Sequence, residues 1–243
     1  MRGSGNIFLE NSYMNKITNL KHIFFDLDHT LWDFDKNSEL AFKHIFEKNN
    51  IAAPLDEFME VYKPINFRYW KYYREAKITK EKLRFGRLSN SFSSLGYTID
   101  NRMINKLADD YITHLPDNNH LFEGTLDLLS ALAPLYSLHI ITNGFEEVQT
   151  LKLERSQISH FFKTMTTSEA ADAKKPDPRI FQFALSRAGA EVTDSIMIGD
   201  TYEADILGAR ALGMQTILFN YHNAEPQQGD RVVMRLLEIL EHI

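Results

Sequence analysis

The chain has 243 residues, of which 44% are hydrophobic and 25% charged, and its formal net charge is −6. That length suits one large domain or a core with a smaller insert, and the acidic balance argues against a nucleic-acid polymer as partner, since such binding needs a basic surface. The absence of Cys excludes disulfides and thiolate chemistry, and no apolar run approaches the ~18 residues of a membrane span, so a cytoplasmic location with no membrane partner is expected.

Met1-Arg2-Gly3-Ser4-Gly5 reads as a leader or tag and Met14 as a candidate natural start, so residues 1–20 stay outside the fold argument. His22-Ile23-Phe24-Phe25 is a short apolar run with the texture of a buried parallel strand, and it ends on Asp26 and Asp28. Carboxylates at alternate positions can enter one crevice while Leu27 packs away. They repel one another unless a cation sits between them, so the pair points to a Mg²⁺ site beside a nucleophile; the plain alternative is an Asx turn.

After Thr30 the text turns helical. Asp35 is expected to cap a helix through Ser38, Leu40, Phe42, Ile45 and Phe46 that ends at Asn49-Asn50. Leu55 to Val61 is a second helical segment, which Pro64 either kinks or follows with a third through Phe67, Tyr69, Trp70 and Tyr73. Thr79 caps a helix that stops at Gly96, and Asp100 caps another with Met103, Ile104, Leu107 and Tyr111 on one face. Residues 33–116 thus form a helical module of roughly eighty residues, a plausible small domain.

From Leu121 helices and strands alternate. Thr125–Leu132 is a helix, Leu138–Thr142 a strand, Glu146–Arg155 a helix and Lys163–Thr167 a strand. Pro178–Ala188 is a helix between its cap Asp177 and Gly189. Ser195–Ile198 is a strand, Tyr202–Leu212 a helix, Thr216–Phe219 a strand and Val232–Leu240 a last helix. Such alternation means an α/β fold, a Rossmann-like parallel sheet whose first strand is the one before Asp26. The core is then residues 21–32 and 117–243, with the helical module inserted after its first strand.

Ligands of open α/β sheets bind at the carboxyl ends of the strands. Those ends offer Asp26 and Asp28; Thr142-Asn143-Gly144, whose hydroxyl and backbone N–H groups suit a phosphate; Lys175 before Pro176; and Gly199-Asp200 with Asp205 following. Together they make a metal-assisted phosphoryl-transfer site.

Asp26-x-Asp28-x-Thr30, Thr142-Asn143-Gly144, Lys175-Pro176 and Gly199-Asp200-x₄-Asp205 resemble, in order and spacing, the four motifs of the haloacid dehalogenase (HAD) superfamily. The insert resembles that superfamily's helical C1 cap. Asp26 to Phe34, Ile141 to Phe145 and Leu153-Glu154-Arg155-Ser156 are similar to its pyrimidine and noncanonical nucleotide 5′-phosphatases. One departure is that Asp172-Ala173-Lys174-Lys175-Pro176 stands where relatives read Gly-Val-Ala-Lys-Pro, so Lys174 competes with Lys175, which position favours.

The resemblance implies Asp26 as nucleophile and Asp28 as general acid and base. It implies Mg²⁺ held by Asp26, the Asp28 carbonyl and Asp200, phosphate bound by Thr142, Asn143, Gly144 and Lys175, and Asp205 and Thr30 as supporting residues. It implies a small phosphorylated metabolite, a nucleotide, as substrate, and a monomer or weak homodimer. A sugar-phosphate or phosphoglycolate phosphatase, a phosphomutase of the β-phosphoglucomutase type and a non-catalytic scaffold are the alternatives. A dehalogenase is disfavoured because its reaction needs no Mg²⁺. His29 is expected to face solvent in a turn, the aromatics of residues 67–73 to be cap core before base platform, and Arg84 and Arg87 to lie on a solvated helix face.

Overall fold

The structure, a computed structural model, describes residues 17–222 and 229–243; the leader and the candidate start at Met14 lie outside the described residues. Six parallel strands form one sheet: β1 (His22–Phe25), β2 (Ser137–Thr142), β3 (Phe162–Thr167), β4 (Ser195–Gly199), β5 (Gln215–Phe219) and β6 (Val232–Val233), in the order β3-β2-β1-β4-β5-β6. The chain builds outward from β1 to β3, then crosses back over β1 to build the other half. The strand order therefore reverses beside β1, which makes its carboxyl end the topological switch point where such sheets bind ligands.

Helices cover both faces, and the period of two along each strand sorts the side chains between them. Ile23, Phe25, Ile140, Ile196 and Ile198 join the larger apolar cluster, while Phe24, Ile141 and Met197 meet Ile180, Phe181 and Ala184 of a helix, Pro178–Ala188, in the smaller one. Strands buried on both faces explain the unbroken apolar runs.

Between β1 and β2 lie α1 (Phe34–Asn49), α2 (Leu55–Arg74), α3 (Lys80–Ser94), α4 (Asn101–His114) and, after a 3-10 turn, α5 (Thr125–Leu132). The first four enclose an aromatic core in which Phe42 contacts Phe46, Phe58, Tyr62 and Tyr111 with ring centroids 4.5–6.0 Å apart. Rings at those separations supply edge and face contacts beyond simple burial. Thr79 and Asp100 cap α3 and α4 through side-chain bonds to Lys82 N and Met103 N.

Four local expectations are corrected. The N-cap of α1 is Asp33, whose carboxylate accepts from Lys36 N, and Asp35 lies inside the first turn. α2 runs through Pro64 without a break, because Phe58 and Tyr62 before it and Tyr69 and Tyr73 after it are all buried. Burial on both sides outweighs one missing N–H bond. Tyr202–Leu207 is π-helical, followed by a single turn, Gly208–Arg210, in place of a regular helix. Val232–Leu240 is helical only in its second half: Val232 and Val233 pair with Leu218 and Phe219 as the sixth strand, and Leu236–Glu241 is a 3-10 helix. A two-residue strand is too short to carry a period, so tertiary pairing decides it.

Candidate active site

The parallel register aligns Phe25 with Ile140 on one side and Ile198 on the other. Asp26 thus leaves the sheet between Thr142 and Asp200, its N–H bonded to the Ile198 carbonyl at 2.9 Å. The Leu27 carbonyl then accepts from the N–H groups of Thr30, Leu31 and Trp32, which turns the chain sharply. Among the described residues no backbone N–H is directed at the Asp28 carbonyl, which is left free for another partner.

Lys175, only 2% exposed, reaches this point from the segment after β3. Its ammonium lies 2.5 Å from Asp26 Oδ1 and 2.7 Å from Asp205 Oδ1, and donates to the Ile141 carbonyl at 2.8 Å. The competing Lys174 points elsewhere, 4.4 Å from the ring centroid of Tyr73. Asn143 fixes the Lys175 backbone from both sides, donating to its carbonyl at 3.0 Å and accepting from its N–H at 2.8 Å. Its side-chain amide thus holds the backbone of the lysine in place. The Lys175–Pro176 peptide is cis.

The π-helical turn brings Asp205 back onto Thr201 N, at 3.0 Å, and against Gly199. A Cβ at residue 199 would stand 2.3 Å from Asp205 Oδ2, so only glycine fits there. One carboxylate oxygen from each of Asp26, Asp200 and Asp205 lies within 4.8 Å of the others. Thr30 Oγ1 makes a long contact of 3.5 Å with Asp200. Burial, partly offset by Lys175 and reinforced by Asp205, pushes the Asp26 carboxyl up to about 7. Burial and then the charges of Asp26 and Asp205 push Asp200 well above the usual carboxylate range. Burial opposes the charge of Lys175, but Asp205 and Asp26 outweigh it and hold the ammonium above its usual value. Crowded, buried, all-oxygen donors of this kind fit a hard divalent cation, whose charge would relieve that repulsion.

Asp28 is held apart from this group. Its Oδ1 accepts from Lys152 Nζ at 2.5 Å and its Oδ2 from Gln149 Nε2 at 3.0 Å, both from α6 (Glu146–Arg155). Gln149 Nε2 also donates to Thr142 Oγ1 at 2.7 Å, which accepts from Gly144 N at 3.0 Å as well. With two donors on its oxygen, the Thr142 hydroxyl is left with its own proton to give. Gln149 and Lys152 were not among the sequence-derived candidates. Their spacing of three on a helix that follows Thr142-Asn143-Gly144 is the signal that could have found them.

Helical side chains close over the strand ends. Trp70 and Tyr73 of α2 pack on Phe145 with centroids 5.5 and 6.2 Å apart. Lys80 pairs with Glu147 at 3.2 Å and Glu169 at 2.8 Å, and Lys71 with Glu203 at 3.0 Å. The aromatic run therefore divides: Tyr69 is buried in the insert, Trp70 and Tyr73 face the core, and Phe67 is 61% exposed. Arg84 lies at the surface against Asp109, but Arg87 is buried and donates to Asn66 Oδ1 at 2.9 Å beside Tyr62 and Tyr111. His29 is half-buried rather than turned out to solvent. It has a φ of 67°, bonds the Tyr221 hydroxyl and stacks on that ring, with tilted contacts to Phe34 and His222, and burial lowers it to about 4.

Comparison with known proteins bears on the family and the fold. Residues 23–219 match the haloacid dehalogenase-like hydrolase family. The chain is 33% identical over 207 residues to pyrimidine 5′-nucleotidase PynA of Streptococcus pneumoniae, covering 84% of this chain and 86% of that one. It is 32% identical over 211 residues to pyrimidine 5′-nucleotidase YjjG of Escherichia coli, covering 85% and 89%. The magnesium-bound crystal structure of the HAD-hydrolase YfnB from Bacillus subtilis superposes with a TM-score of 0.82 at 29% identity, covering 92% of this chain and 99% of that one. The chain belongs to the haloacid dehalogenase-like hydrolases.

Proposed function

We propose that this protein is a phosphomonoester hydrolase that works through an aspartyl-phosphate on Asp26, with nucleoside 5′-monophosphates of pyrimidines as its substrates. The observation that carries the reading is the placement of Asp26 at the switch point, 2.5 Å from the buried ammonium of Lys175 and within 4.8 Å of two further carboxylates. Residues 21–32 and 117–243 form the catalytic core and residues 33–116 the cap.

In the first half-reaction an Asp26 carboxylate oxygen bonds to phosphorus while the bond to the ester oxygen breaks. Asp28 gives a proton to that departing oxygen, then takes one from the water that attacks phosphorus and frees Asp26. The Thr142 hydroxyl, the backbone N–H groups after it and Lys175 meet the negative charge of the transferring group. Asp26, the Asp28 carbonyl and Asp200 would hold Mg²⁺, with Asp205 steering Lys175; the ion supplies charge neutralisation to the phosphate oxygens. The magnesium bound by the relative YfnB supports that choice of metal.

The nucleotide preference rests on the relatives PynA and YjjG, named as pyrimidine 5′-nucleotidases, and on the aromatic wall of Trp70, Tyr73 and Phe145 above the site. A relative in Methanothermobacter thermautotrophicus, 31% identical over 214 residues and covering 86% of this chain and 89% of that one, is named a glyceraldehyde 3-phosphate phosphatase. Small sugar phosphates are therefore the competing class. Phosphate release from a panel of nucleoside monophosphates, triose, hexose and glycolate phosphates, with Mg²⁺ and with excess chelator, tests both levels. Turnover undiminished by chelator refutes the chemistry; sugar phosphates tenfold ahead of UMP in kcat/KM refute the substrate class alone.

A further inference from the structure

Two residues apart in sequence, Asp26 and Asp28 are paired with different cations. Asp26 meets Lys175, and Asp28 meets Lys152 at 2.5 Å. Lys152 is only 2% exposed, which a lysine accepts rarely and at a cost unless something fixes it there. Its ammonium stands 4.2 Å from the ring centroid of Trp32 and 5.3 Å from that of Phe34. These aromatics flank the same Asp28-to-Phe34 turn, and their faces attract a cation. The lysine is thus boxed by the segment that carries Asp28, and among the described residues its ion pair is with the Asp28 carboxylate. Gln149, one helical turn earlier, takes the other Asp28 oxygen at 3.0 Å and ties it to Thr142 Oγ1 at 2.7 Å.

We propose that Lys152, with Gln149 as its partner on α6, is the positioning residue for the acid–base step: it fixes the Asp28 carboxylate in the one orientation that serves the departing ester oxygen and then the attacking water. This inference rests on the role given to Asp28 above. Lys152 has no contact assigned to phosphorus, the ester oxygen or the attacking water in that mechanism; it acts through Asp28. Each Asp28 oxygen accepts one of these bonds and keeps a second lone pair, which carries the proton given to the departing oxygen and, once emptied, takes one from the attacking water. The pair also explains why one loop serves two tasks. Gln149 links the Thr142 hydroxyl to the Asp28 carboxylate through a single amide.

Lys152→Met keeps the length and apolar body of the side chain over Trp32 and removes the charge. Rapid-quench measurement of phosphoenzyme formation and decay, in Mg²⁺, with uridine 5′-monophosphate and with p-nitrophenyl phosphate separates positioning from mere structure. The nucleoside oxygen is a strong base that must be protonated as it leaves; p-nitrophenolate is not. Lys152→Met should form phosphoenzyme from the nucleotide about 10–100-fold more slowly than wild type, and from p-nitrophenyl phosphate within about threefold of wild type. Phosphoenzyme decay should slow at least about tenfold whichever substrate made it, because the same carboxylate activates the water, and KM for the nucleotide should change far less than kcat. Lys152→Arg, which keeps a cation over the ring, should restore both steps to within about fivefold.

Equal loss with the two leaving groups, or no recovery in Lys152→Arg, overturns the assignment. If Lys152→Met does not fold, Lys152→Gln takes its place, with the same outcomes deciding. A wild-type enzyme that forms no phosphoenzyme at all would bring down the proposed mechanism itself. A wild-type phosphoenzyme with an unimpaired Lys152→Met brings down only this inference.

Discussion

Gly144→Ala adds one methyl group, and its effect can be worked from distances. Gly144 is not one of the glycines with positive φ, so alanine meets no backbone strain there. The new Cβ would lie 2.5 Å from Gln149 Cδ and 2.6 Å from its Nε2. Ordinary carbon contacts begin near 3.5 Å, so the fully buried Gln149 amide has to withdraw by about 1 Å. Its bonds to Asp28 at 3.0 Å and Thr142 at 2.7 Å then stretch beyond bonding range. The bond to a charged acceptor is worth roughly 1.5–3 kcal/mol and the neutral one roughly 0.5–1.5, so stability should fall by about 2–4 kcal/mol. Asp28 loses one of its two anchors, and kcat on nucleotides should drop about 10–100-fold. Gln149→Ala vacates the same space and loses the same bonds, so adding Gly144→Ala to it should cost almost nothing more. Urea unfolding of the four proteins, with m-values compared, gives the interaction free energy, expected at about 2–4 kcal/mol of non-additivity. Additive losses, or a Gly144→Ala protein within about 0.5 kcal/mol of wild type, refute the reasoning.

Excess chelator should abolish turnover, and Mg²⁺ should raise the melting temperature of the chelated protein by several degrees, because a cation relieves repulsion among Asp26, Asp200 and Asp205; a melting curve blind to Mg²⁺ up to millimolar levels counts against the site. Asp26→Asn should accumulate no phosphoenzyme, whereas Asp28→Asn should form it from p-nitrophenyl phosphate and hydrolyse it slowly, which acid-quench labelling separates. His139, buried in β2 against Phe24 and His22, is lowered to about 4 chiefly by burial. The folded protein then binds fewer protons than the unfolded chain below pH ~6.5, so this residue's share of stability is present above that pH and is lost as pH falls toward 4, by about 1–2 kcal/mol after allowing for solvent screening. His139→Phe should flatten that part of the pH–stability curve; an unchanged slope contradicts it.

Much of the frame was legible because local signals and tertiary demands coincide. Caps such as Thr79, Asp100 and Asp177 mark helix starts through bonds that form within three residues, so no distant partner is needed to see them. The switch point was legible for a different reason. Buried parallel strands are unbroken apolar runs, and what stands at their ends is bound to meet. What escaped depends on packing between segments far apart in sequence. Gln149 and Lys152 are separated from Asp28 by 121 and 124 positions and look like ordinary polar residues of a helix. Arg87 reads as a surface residue until Tyr62 and Tyr111 close over it. β6 exists only because β5 offers an edge, and the two bonds by which the Asn143 amide holds the Lys175 backbone join positions 32 residues apart.

The charge balance of the site draws these parts together. Asp26, Asp28, Asp200 and Asp205 bring four carboxylates, and Lys175 and Lys152 bring two ammonium groups, all around the carboxyl end of β1. Fully ionised, that leaves two surplus negative charges, which one divalent cation cancels. The surplus is not spread evenly. Asp28 is matched by Lys152, and Lys175 is shared between Asp26 and Asp205, so the excess falls on the cluster of Asp26, Asp200 and Asp205. A phosphate dianion could not approach that cluster against the repulsion at short range. With a divalent ion in place it would meet a neutral site with Lys175 and the Thr142 hydroxyl beside it. Metal and substrate are then coupled electrostatically, and each should tighten the binding of the other. Under the proposed mechanism, pairing the two aspartates with two different lysines would confine the ion to the Asp26 side and leave the Asp28 side chain free of it for proton transfer.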